Sequence, residues 1–398
     1  MGHLTFCDLA TFYCPTGGGI RTYYDAKLEW FRRQTRHRYV LIVPGERSTT
    51  QEMTQSVTMV EARGVSVNHA SDSYRLFRDF AYIRSAIREH RPDVLETGDP
   101  WVSGPFALWL RRRDRMPSIV SSFFHADPMR TYIEPAFARC TPQWMAGTLS
   151  SMAGRGFYQI QRSYDLTMVS STCSADRLTQ AGITNIRRVP FGIDATFFQT
   201  GERRPSAERP RRRLLYAGRL DHDKHIDLLI TILPQLLDAS DVFVTVAGTG
   251  ALRSTFEHWT HPRFRYVGYV RDRETLGRLY GEHDVFLAPG AYETFGLAAL
   301  EAAAAGLVVV GPNQGGTGAL LREMHSPFVF KAGDADGFLA ATRAALDADW
   351  GSASQASHRM SARYGTWPEA IGRLVDTYER ILQKDLCADA PSSCRCTT

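Results

Sequence analysis

Two glutamates frame an alanine-rich stretch late in the chain. The segment from Ala288 to Gly306 reads APGAYETFGLAALEAAAAG and places Glu293 and Glu301 eight residues apart. Acidic residues favour helix N-termini, which would account for Glu293 as an ordinary helix-starting residue. Glu301 is different, because it is the single charge in the apolar run LAALEAAAAGLVVVG. A buried carboxylate is costly unless it is paired, so the sequence predicts a polar partner for Glu301, and the diol of a bound ligand would serve.

A pair of cations follows an earlier predicted strand. In YAGRLDHDKHID, Arg219 and Lys224 stand five residues apart, directly after Gly218 and before a predicted helix. Arginine offers a two-pronged guanidinium and lysine a point charge, and together they could hold a diphosphate. An ordinary solvated loop would also accommodate them. Asp221 and Asp223 form a D-x-D pair, but the flanking cations favour phosphate over a metal ion, so no metal site is predicted.

The start of the alanine-rich helix is a second predicted phosphate contact. The helix is expected to begin near Gly296 or Leu297, where unpaired N–H groups attract an anion. If helical, eight residues span roughly 12 Å, about the distance between the hydroxyl-rich ends of a nucleoside diphosphate sugar. We therefore expect Glu293 to accept hydrogen bonds from the sugar and Glu301 from the ribose. The predicted N–H donors belong to Thr294, Phe295, Gly296 and Leu297.

Two segments of the first half could complete such a site. PTGGGIRTYYD places Gly17, Gly18 and Gly19 before a helix, and glycines let a backbone approach phosphate or sugar closely. Neither a Walker loop nor G-x-G-x-x-G is present, and a plain tight turn is the alternative. FFHADP places His125 and Asp127 at the end of a predicted strand, although an isolated histidine is often structural.

The elements around these residues alternate between strands and helices. Strands are predicted at Tyr39–Pro44, Val94–Glu96, Ser118–Phe124 and Leu166–Ser170, and a helix over Tyr74–Glu89. The same alternation restarts beyond the arginine-rich, proline-containing linker Gly201–Arg213. This pattern indicates an α/β fold with two parallel-sheet domains. Ligands of such sheets bind beyond the carboxyl ends of the strands, so the site is expected in a central cleft between the domains.

The expected domain bounds follow from this pattern. Residues 1–196 are expected to form one Rossmann-like domain, and residues 197–367 a second one. A final helix at about residues 368–385 is expected to pack back on the first domain. Residues 386–398 are expected to be a disordered tail.

Composition narrows the class of protein further. The chain has 398 residues, 43% of them hydrophobic and 22% charged, with a net charge of +5, as in soluble globular proteins. No run of about 18 apolar residues predicts a membrane span, no secretory signal is recognised, and seven scattered cysteines indicate a reducing cytosol.

The chain also contains groups of basic residues. Trp30 and Phe31, with Arg32, Arg33, Arg36, His37 and Arg38, could rest on an anionic membrane or form an ordinary amphipathic helix. Other basic groups are Arg111, Arg112, Arg113 and Arg115, and Arg203, Arg204, Arg209, Arg211, Arg212 and Arg213.

These motifs resemble one known family. The E-x7-E motif from Glu293 to Glu301, G-R-L-x-x-x-K from Gly218 to Lys224, VPFGIDATFF at 189–198 and the tryptophan-containing final helix are similar to those of the retaining glycosyltransferases of family 4, with the GT-B fold. The resemblance is dense in the C-terminal half and looser before residue 180. It implies that Arg219 and Lys224 grip the donor diphosphate, that Glu293 contacts the donor sugar and that Glu301 contacts the ribose.

The resemblance carries several further expectations. It implies a UDP- or GDP-sugar donor, a hydroxyl acceptor, retention of anomeric configuration, no obligatory cofactor and no metal ion. It also implies that residues 1–196 form the acceptor-side domain and that residues 197–367 hold the donor. Gly18 and Gly19 would border the donor phosphate, Gly17 and Asp127 the acceptor, and His125 would line the cleft near the transferred sugar. The expected catalytic residues are His125, Arg219, Lys224 and Glu293.

The sequence leaves the acceptor and some rival functions open. A lipid-linked or cell-surface glycan acceptor is favoured over a soluble metabolite, which predicts a cytoplasmic protein with peripheral membrane contact as an option. Nucleic acid is not an expected partner. A nucleotide-sugar epimerase, a nicotinamide oxidoreductase and a non-catalytic basic binding protein are the rival classes.

Overall fold

A computed structural model describes residues 3–14, 17–34, 36–66, 75–194, 212–239 and 241–388. The predicted linker lies outside these residues except for Arg212 and Arg213, and so does the proposed domain boundary at 196/197. Residues 389–398 of the predicted tail also lie outside them, whereas 386–388 end a helix.

The first sheet is built mainly from parallel strands. Their order is β3-β4-β2-β1-β6-β7-β8-β9, with β5 paired to β4, and both β3 and β5 run antiparallel to β4. The strands are β1 (Thr5–Leu9), β2 (Arg38–Gly45), β3 (Thr49–Glu52), β4 (Val57–Ser66), β5 (Arg75–Phe77), β6 (Val94–Thr97), β7 (Ile119–Phe123), β8 (Leu166–Val169) and β9 (Ile186–Arg188). The helices are α1 (Gly19–Arg33), α2 (Phe80–His90), α3 (Ser103–Asp114), α4 (Glu134–Cys140), α5 (Gln143–Ser163) and α6 (Thr172–Gln180), with a π-helix at Met129–Ile133.

The second sheet is parallel throughout its described strands. Its order is β12-β11-β10-β13-β14-β15. The strands are β10 (Arg212–Ala217), β11 (Val242–Ala247), β12 (Phe264–Gly268), β13 (Val285–Leu287), β14 (Val308–Pro312) and β15 (Val329–Phe330). The helices are α7 (Ile226–Leu237), α8 (Arg253–Glu257), α9 (Arg273–Gly281), α10 (Leu297–Ala304), α11 (Gly315–Glu323), α12 (Ala335–Asp347), α13 (Trp350–Ser361) and α14 (Trp367–Ala388). This is the α/β architecture with two parallel-strand sheets that the sequence predicts.

One predicted helix is partly wrong. The expected helix over Tyr74–Glu89 begins only at Phe80, because Arg75–Phe77 form β5 and pair antiparallel with the end of β4. The side chain of Asp79 accepts a hydrogen bond from the N–H of Tyr82 and so starts α2 there. Helical spacing of apolar residues in this short segment did not reveal the strand.

A buried polar cluster holds the first sheet and the final helix together. The Lys27 ammonium lies 2.7 Å from Asp8 Oδ2 and 3.1 Å from Glu96 Oε1, with these side chains at most 2% exposed. Tyr39 donates to Asp8 at 2.7 Å, and Tyr378 of α14 donates to the second oxygen of Glu96 at 2.7 Å. Two buried carboxylates are therefore served by one ammonium and by hydroxyl donors from distant elements.

The chain returns from the second sheet to the first at one place. Ile193 and Thr366 form an isolated parallel bridge, and the Trp367 ring lies 5.3 Å from that of Phe191. From there α14 runs back across the first sheet and packs against α1. The final helix spans Trp367–Ala388, and the domain bounds given above remain a prediction.

The proposed membrane contact of the segment from Trp30 to Arg38 is wrong for two of its members. Phe31 is completely buried and stacks on Tyr39 with ring centroids 4.7 Å apart. His37 is also buried and lies 3.2 Å from Glu379 of α14. Trp30 is half-buried against the same helix. This region is therefore an amphipathic helix covered by α14, which was the alternative.

Replacing Lys27 should expose the dependence of the fold on the buried cluster. Lys27→Met leaves the Asp8 and Glu96 carboxylates without their cation, which should cost about 3–5 kcal/mol of unfolding free energy. Burial already raises the pKa of Asp8, and Lys27 opposes that rise. Loss of Lys27 raises this folded-state pKa further, so the destabilisation should be smaller at pH 5 than at pH 8, because protonation then favours the folded state.

Urea unfolding at both pH values measures this effect. Arg33→Met is the matched control, since Arg33 lies on the same helix in an exposed pair with Glu29. It should change the unfolding free energy little. Equal effects of the two substitutions would contradict the role assigned to the cluster.

Candidate functional site

Sheet pairing brings the two predicted motifs together. β10 pairs with β13, so the loops that follow them leave the same carboxyl edge. Lys224 ends a short 3-10 helix after β10, and Glu293 lies in the loop after β13. The Lys224 Nζ atom lies 2.6 Å from Glu293 Oε1, and both side chains are partly exposed. Two residues 69 positions apart in sequence thus form one ion pair in the site.

Arg219 is held by the acidic residues of its own loop. Its guanidinium forms ion pairs with both Asp221 and Asp223. Asp221 also accepts a hydrogen bond from the N–H of Ala251 at 2.8 Å, which ties this loop to the one after β11. The D-x-D pair therefore orients the guanidinium at the edge of the sheet.

Gly218 lies where two loops approach each other closely. Its N–H donates to the carbonyl of Ala247 at 3.0 Å. The neighbouring Gly248 has φ +140°, and a Cβ there would lie 1.8 Å from the Gly218 carbonyl oxygen. Only glycine fits at 248, and this close approach fixes the start of the loop that carries Arg219.

The alanine-rich helix begins where it was predicted to begin. α10 starts at Leu297 after Gly296, whose φ of +83° and proximity to Thr317 disfavour any side chain. No side chain caps this end, so its first N–H groups are available to an anion. Glu293 lies in the preceding loop, so the helical length of the eight-residue spacing does not describe the span between the two glutamates.

Glu301 has protein partners, which corrects the expectation that a ligand diol is its missing partner. Its Oε1 lies 3.3 Å from the Arg273 guanidinium, and its Oε2 accepts from the Tyr280 hydroxyl at 3.4 Å. Burial raises the pKa of Glu301, whereas Arg273 and Tyr280 lower it. The carboxylate is thus paired at one oxygen and hydrogen-bonded at the other.

Thr294 joins the two halves of the cleft. Its hydroxyl donates to the backbone carbonyl of His125 at 2.7 Å. Its own carbonyl accepts from Ser171 at 2.5 Å and from Ser174 at 3.2 Å, both at the start of α6. Phe295, next to it, is buried, and its ring lies 5.0 Å from that of Phe191. The side chains of Thr294 and Phe295 therefore fasten the site to the first sheet.

The glycine loop faces the start of α10. A Cβ on Gly19 would lie 3.5 Å from the Leu297 side chain, whereas one on Gly18 would meet nothing within 4 Å. The Gly17 N–H donates to the carbonyl of Cys14 at 3.0 Å and closes the turn. The structure thus brings Gly19 next to the start of α10.

His125 is enclosed by aromatic rings. Its ring stacks on Phe123 at 4.6 Å and lies 4.8 Å from that of Tyr23. The Nε2 atom is buried and has no hydrogen-bond partner in the described structure. Burial lowers the pKa of His125 to about 4, so its imidazole is neutral at physiological pH.

Asp127 is engaged with its own domain. Its carboxylate lies 2.5 Å from the Arg177 guanidinium of α6 and also accepts from the N–H of Arg130. The ion pair anchors the loop that carries His125 to α6. The expected acceptor contact of Asp127 therefore remains a prediction, and its present contacts are structural.

Several residues near the site were not predicted. Tyr132 of the π-helix is 53% exposed. Partial burial raises the pKa of its phenol, and the nearby charges of Arg219 and Lys224 lower it, which shows that Tyr132 lies close to these cations. Arg273 opens the helix after β12, in a post-strand loop that the strand pattern alone could have flagged. Ser171 and Ser174, which donate to the Thr294 carbonyl, belong to no sequence motif that could have marked them.

The described part of the chain holds neither a candidate metal centre nor a membrane-spanning helix. It contains no cluster of three or more His, Cys, Asp or Glu side chains placed to hold a metal ion. None of its helices is both long and apolar enough to cross a bilayer.

The protonation of His125 can be tested directly. In protein labelled with 13C at histidine Cε1, the His125 signal should not titrate between about pH 6 and 9, because burial disfavours the imidazolium. Comparison with His125→Gln assigns the signal among the 12 histidines. A titration midpoint close to that of free histidine would show that the ring is open to water.

Comparisons with known proteins agree with this geometry. Residues 18–192 match the family model described as a glycosyl transferase 4-like domain, and residues 211–348 match that of glycosyl transferases group 1. The chain is 29% identical over 310 residues to the GDP-mannose-dependent alpha-(1-6)-phosphatidylinositol dimannoside mannosyltransferase of Mycobacterium tuberculosis, covering 76% of this chain and 78% of that protein. It is 28% identical over 325 residues to glycogen synthase of the same organism, covering 76% and 75%.

The fold has a solved counterpart as well. Sucrose-phosphate synthase from Thermosynechococcus elongatus superposes with a TM-score of 0.75 at 17% identity, covering 96% of this chain and all of that one. At this identity the likeness shows the fold alone. The two family models divide the chain between the two sheets described above and together cover most of it. The chain therefore belongs to the glycosyltransferases of family 4 and is a hexosyltransferase with the GT-B fold.

Proposed function

We propose that this glycosyltransferase moves a mannosyl residue from GDP-mannose to a hydroxyl of a lipid-linked acceptor, with retention of anomeric configuration. The observation that carries the proposal is the convergence of Arg219, Lys224, Glu293 and the start of α10 at one sheet edge. The choice of donor and acceptor is supported by the relative that uses GDP-mannose and a phosphatidylinositol dimannoside.

The donor diphosphate would lie between the cations and the helix N-terminus. Arg219 and Lys224 supply two positive charges, and the uncapped end of α10 supplies N–H donors. Lys224 would leave Glu293 for the phosphate, which frees the Glu293 carboxylate to accept from the hydroxyls of the sugar. Glu301 would accept from the ribose at the far end of the donor.

The reaction follows from this placement. The acceptor oxygen attacks the anomeric carbon on the face that the diphosphate leaves, the bond from carbon to phosphate oxygen breaks, and that leaving oxygen takes the acceptor proton. Arg219, Lys224 and the helix N-terminus stabilise the negative charge that develops on the diphosphate. The neutral His125 ring would border the sugar pocket.

A ligand screen and product analysis test this proposal. Thermal shifts with GDP, UDP, ADP and their sugar conjugates should show stabilisation by GDP of about 2.7 kcal/mol at a concentration a hundred times Kd. Arg219→Ala should lose this shift, because the diphosphate loses its guanidinium. Arg253→Ala, an exposed arginine of the same domain paired with Glu257, should keep it.

The outcomes separate donor from activity. A shift with UDP alone would correct the base and leave the transferase intact. No shift with any nucleotide for a folded protein would contradict the proposed donor site. Proton NMR of the product should show the anomeric configuration of the donor, and a glycosyl-enzyme trapped and seen by mass spectrometry would contradict direct same-face attack.

A soluble glycan acceptor is the second candidate. The relative named glycogen synthase is nearly as similar to this chain as the mannosyltransferase is. Incubation with radiolabelled GDP-mannose and separate lipid and water-soluble acceptor fractions distinguishes the two. Label that enters the organic phase supports the lipid-linked acceptor, and label confined to water-soluble glycan supports the second candidate.

Peripheral membrane contact is also part of the proposal. The helix α5 carries two arginines and no acidic residue, and on it Trp144 is 79% and Met152 61% exposed, with Arg155 also exposed. The π-helix residue Tyr132, which lies near the donor cations, joins this surface to the cleft through α4. Tryptophan and arginine favour the interface of an anionic bilayer, from which a lipid-linked acceptor could enter.

Vesicle flotation tests this contact. The protein should float with vesicles containing phosphatidylinositol and remain in solution with phosphatidylcholine alone, and the combined substitution of Trp144 and Met152 by Ala should abolish flotation. Trp109→Ala, on α3, changes another exposed tryptophan and should float normally. Flotation lost with Trp109→Ala but kept in the double variant would place the contact elsewhere.

A further inference from the structure

We propose that Arg273 is a positioning residue for the nucleoside half of the donor: it orients the Glu301 carboxylate toward the ribose hydroxyls. The inference rests on the proposed function, which places the ribose at Glu301. It adds a residue from a different element, the helix α9 that follows β12. This residue is not part of either motif.

The geometry places Arg273 between solvent and a buried carboxylate. Arg273 is the first residue of α9, which follows β12 at the carboxyl edge of the second sheet. Its Nη1 lies 3.3 Å from Glu301 Oε1, with the arginine side chain 32% exposed and that of Glu301 only 7% exposed. The guanidinium therefore reaches from the open side of the site to a carboxylate that is otherwise enclosed.

The same helix holds the other carboxylate oxygen. Tyr280 of α9 is buried, and its hydroxyl lies 3.4 Å from Glu301 Oε2. A carboxylate can accept about four hydrogen bonds, so Arg273 and Tyr280 leave capacity for a diol. Because both partners belong to α9, this helix fixes the plane of the carboxylate before any ligand binds.

The electrical surroundings of Glu301 make Arg273 necessary. Burial raises the pKa of Glu301, and the neighbouring Asp194 raises it further. Arg273 is the largest opposing influence, followed by the hydrogen bond from Tyr280. Without the arginine, the folded-state pKa of Glu301 would rise, and a protonated carboxyl accepts hydrogen bonds from a ribose less well than a carboxylate does.

Calorimetric binding of GDP and 2′,3′-dideoxy-GDP tests the inference. The wild type should bind GDP at least about tenfold more tightly than the dideoxy compound, because the hydroxyls donate to a charged acceptor. Arg273→Gln should bind GDP about tenfold more weakly than the wild type does. It should prefer GDP over the dideoxy compound by less than about twofold. This loss should grow as the pH falls, because removing Arg273 raises the folded-state pKa of Glu301 and a lower pH protonates more of its carboxylate.

A neighbouring arginine supplies the matched control. Arg278 lies on the same helix in an exposed pair with Glu274, and Arg278→Gln should keep the full preference for GDP. Arg273→Lys retains the charge but not the planar fork, and should lose at least about threefold of the preference. If Arg273→Gln does not fold, the lysine variant provides the test.

The outcomes separate this inference from the proposed function. Full preference for GDP in either folded Arg273 variant would overturn the role of Arg273. If the wild type does not distinguish GDP from the dideoxy compound, or if Glu301→Gln distinguishes them as well as the wild type does, the ribose is not at Glu301 and both fail. If the wild type does not bind GDP at all, the donor assignment fails first.

Discussion

The buried ammonium of Lys27 is the interaction on which the rest of the arrangement depends. It lies between Asp8 of β1 and Glu96 of β6, and Glu96 also accepts from Tyr378 near the end of the chain. Charges are expensive to bury, so these groups are tolerable only when all of them are in place. The buried carboxylates of the first sheet therefore have all their partners only when α14 packs against that sheet. The cluster also reaches the site, because Tyr23 donates to Glu96 at 2.8 Å and its ring lies 4.8 Å from that of His125.

The proposed donor site does not carry a net positive charge. Arg219 and Lys224 contribute two positive charges, whereas Asp221, Asp223 and Glu293, which pair with them, contribute three negative ones, so this group carries 2 − 3 = −1. A diphosphate must therefore compete with carboxylates for each cation. Such competition favours an anion that also satisfies the N–H groups of α10 over an anion that offers charge alone.

Features that depend on neighbouring residues could be predicted from the sequence, whereas contacts between residues far apart in the chain could not. The loop after β10, the start of α10 and the strand edges are local patterns, and they were predicted at or near their observed positions. The short strand Arg75–Phe77 was mistaken for helix, because its pairing with β4 is a tertiary contact. The pairs Lys27–Glu96, Arg273–Glu301 and Thr294–His125 join residues whose partners are chosen by the fold, and no spacing in the chain marks them.

The two glutamates of the E-x7-E motif differ in how they can respond to a ligand. Glu293 is 31% exposed and paired with a flexible lysine, so it can exchange its partner when a phosphate arrives. Glu301 is 7% exposed and is held by Arg273 and Tyr280 of one helix. It can therefore gain hydrogen bonds without changing its position. In the proposed donor complex, one end of the site would therefore be prepared before binding and the other would be rearranged by it. A rigid nucleoside end that fixes the donor while the diphosphate end rearranges suits a reaction in which the bond to the diphosphate must break.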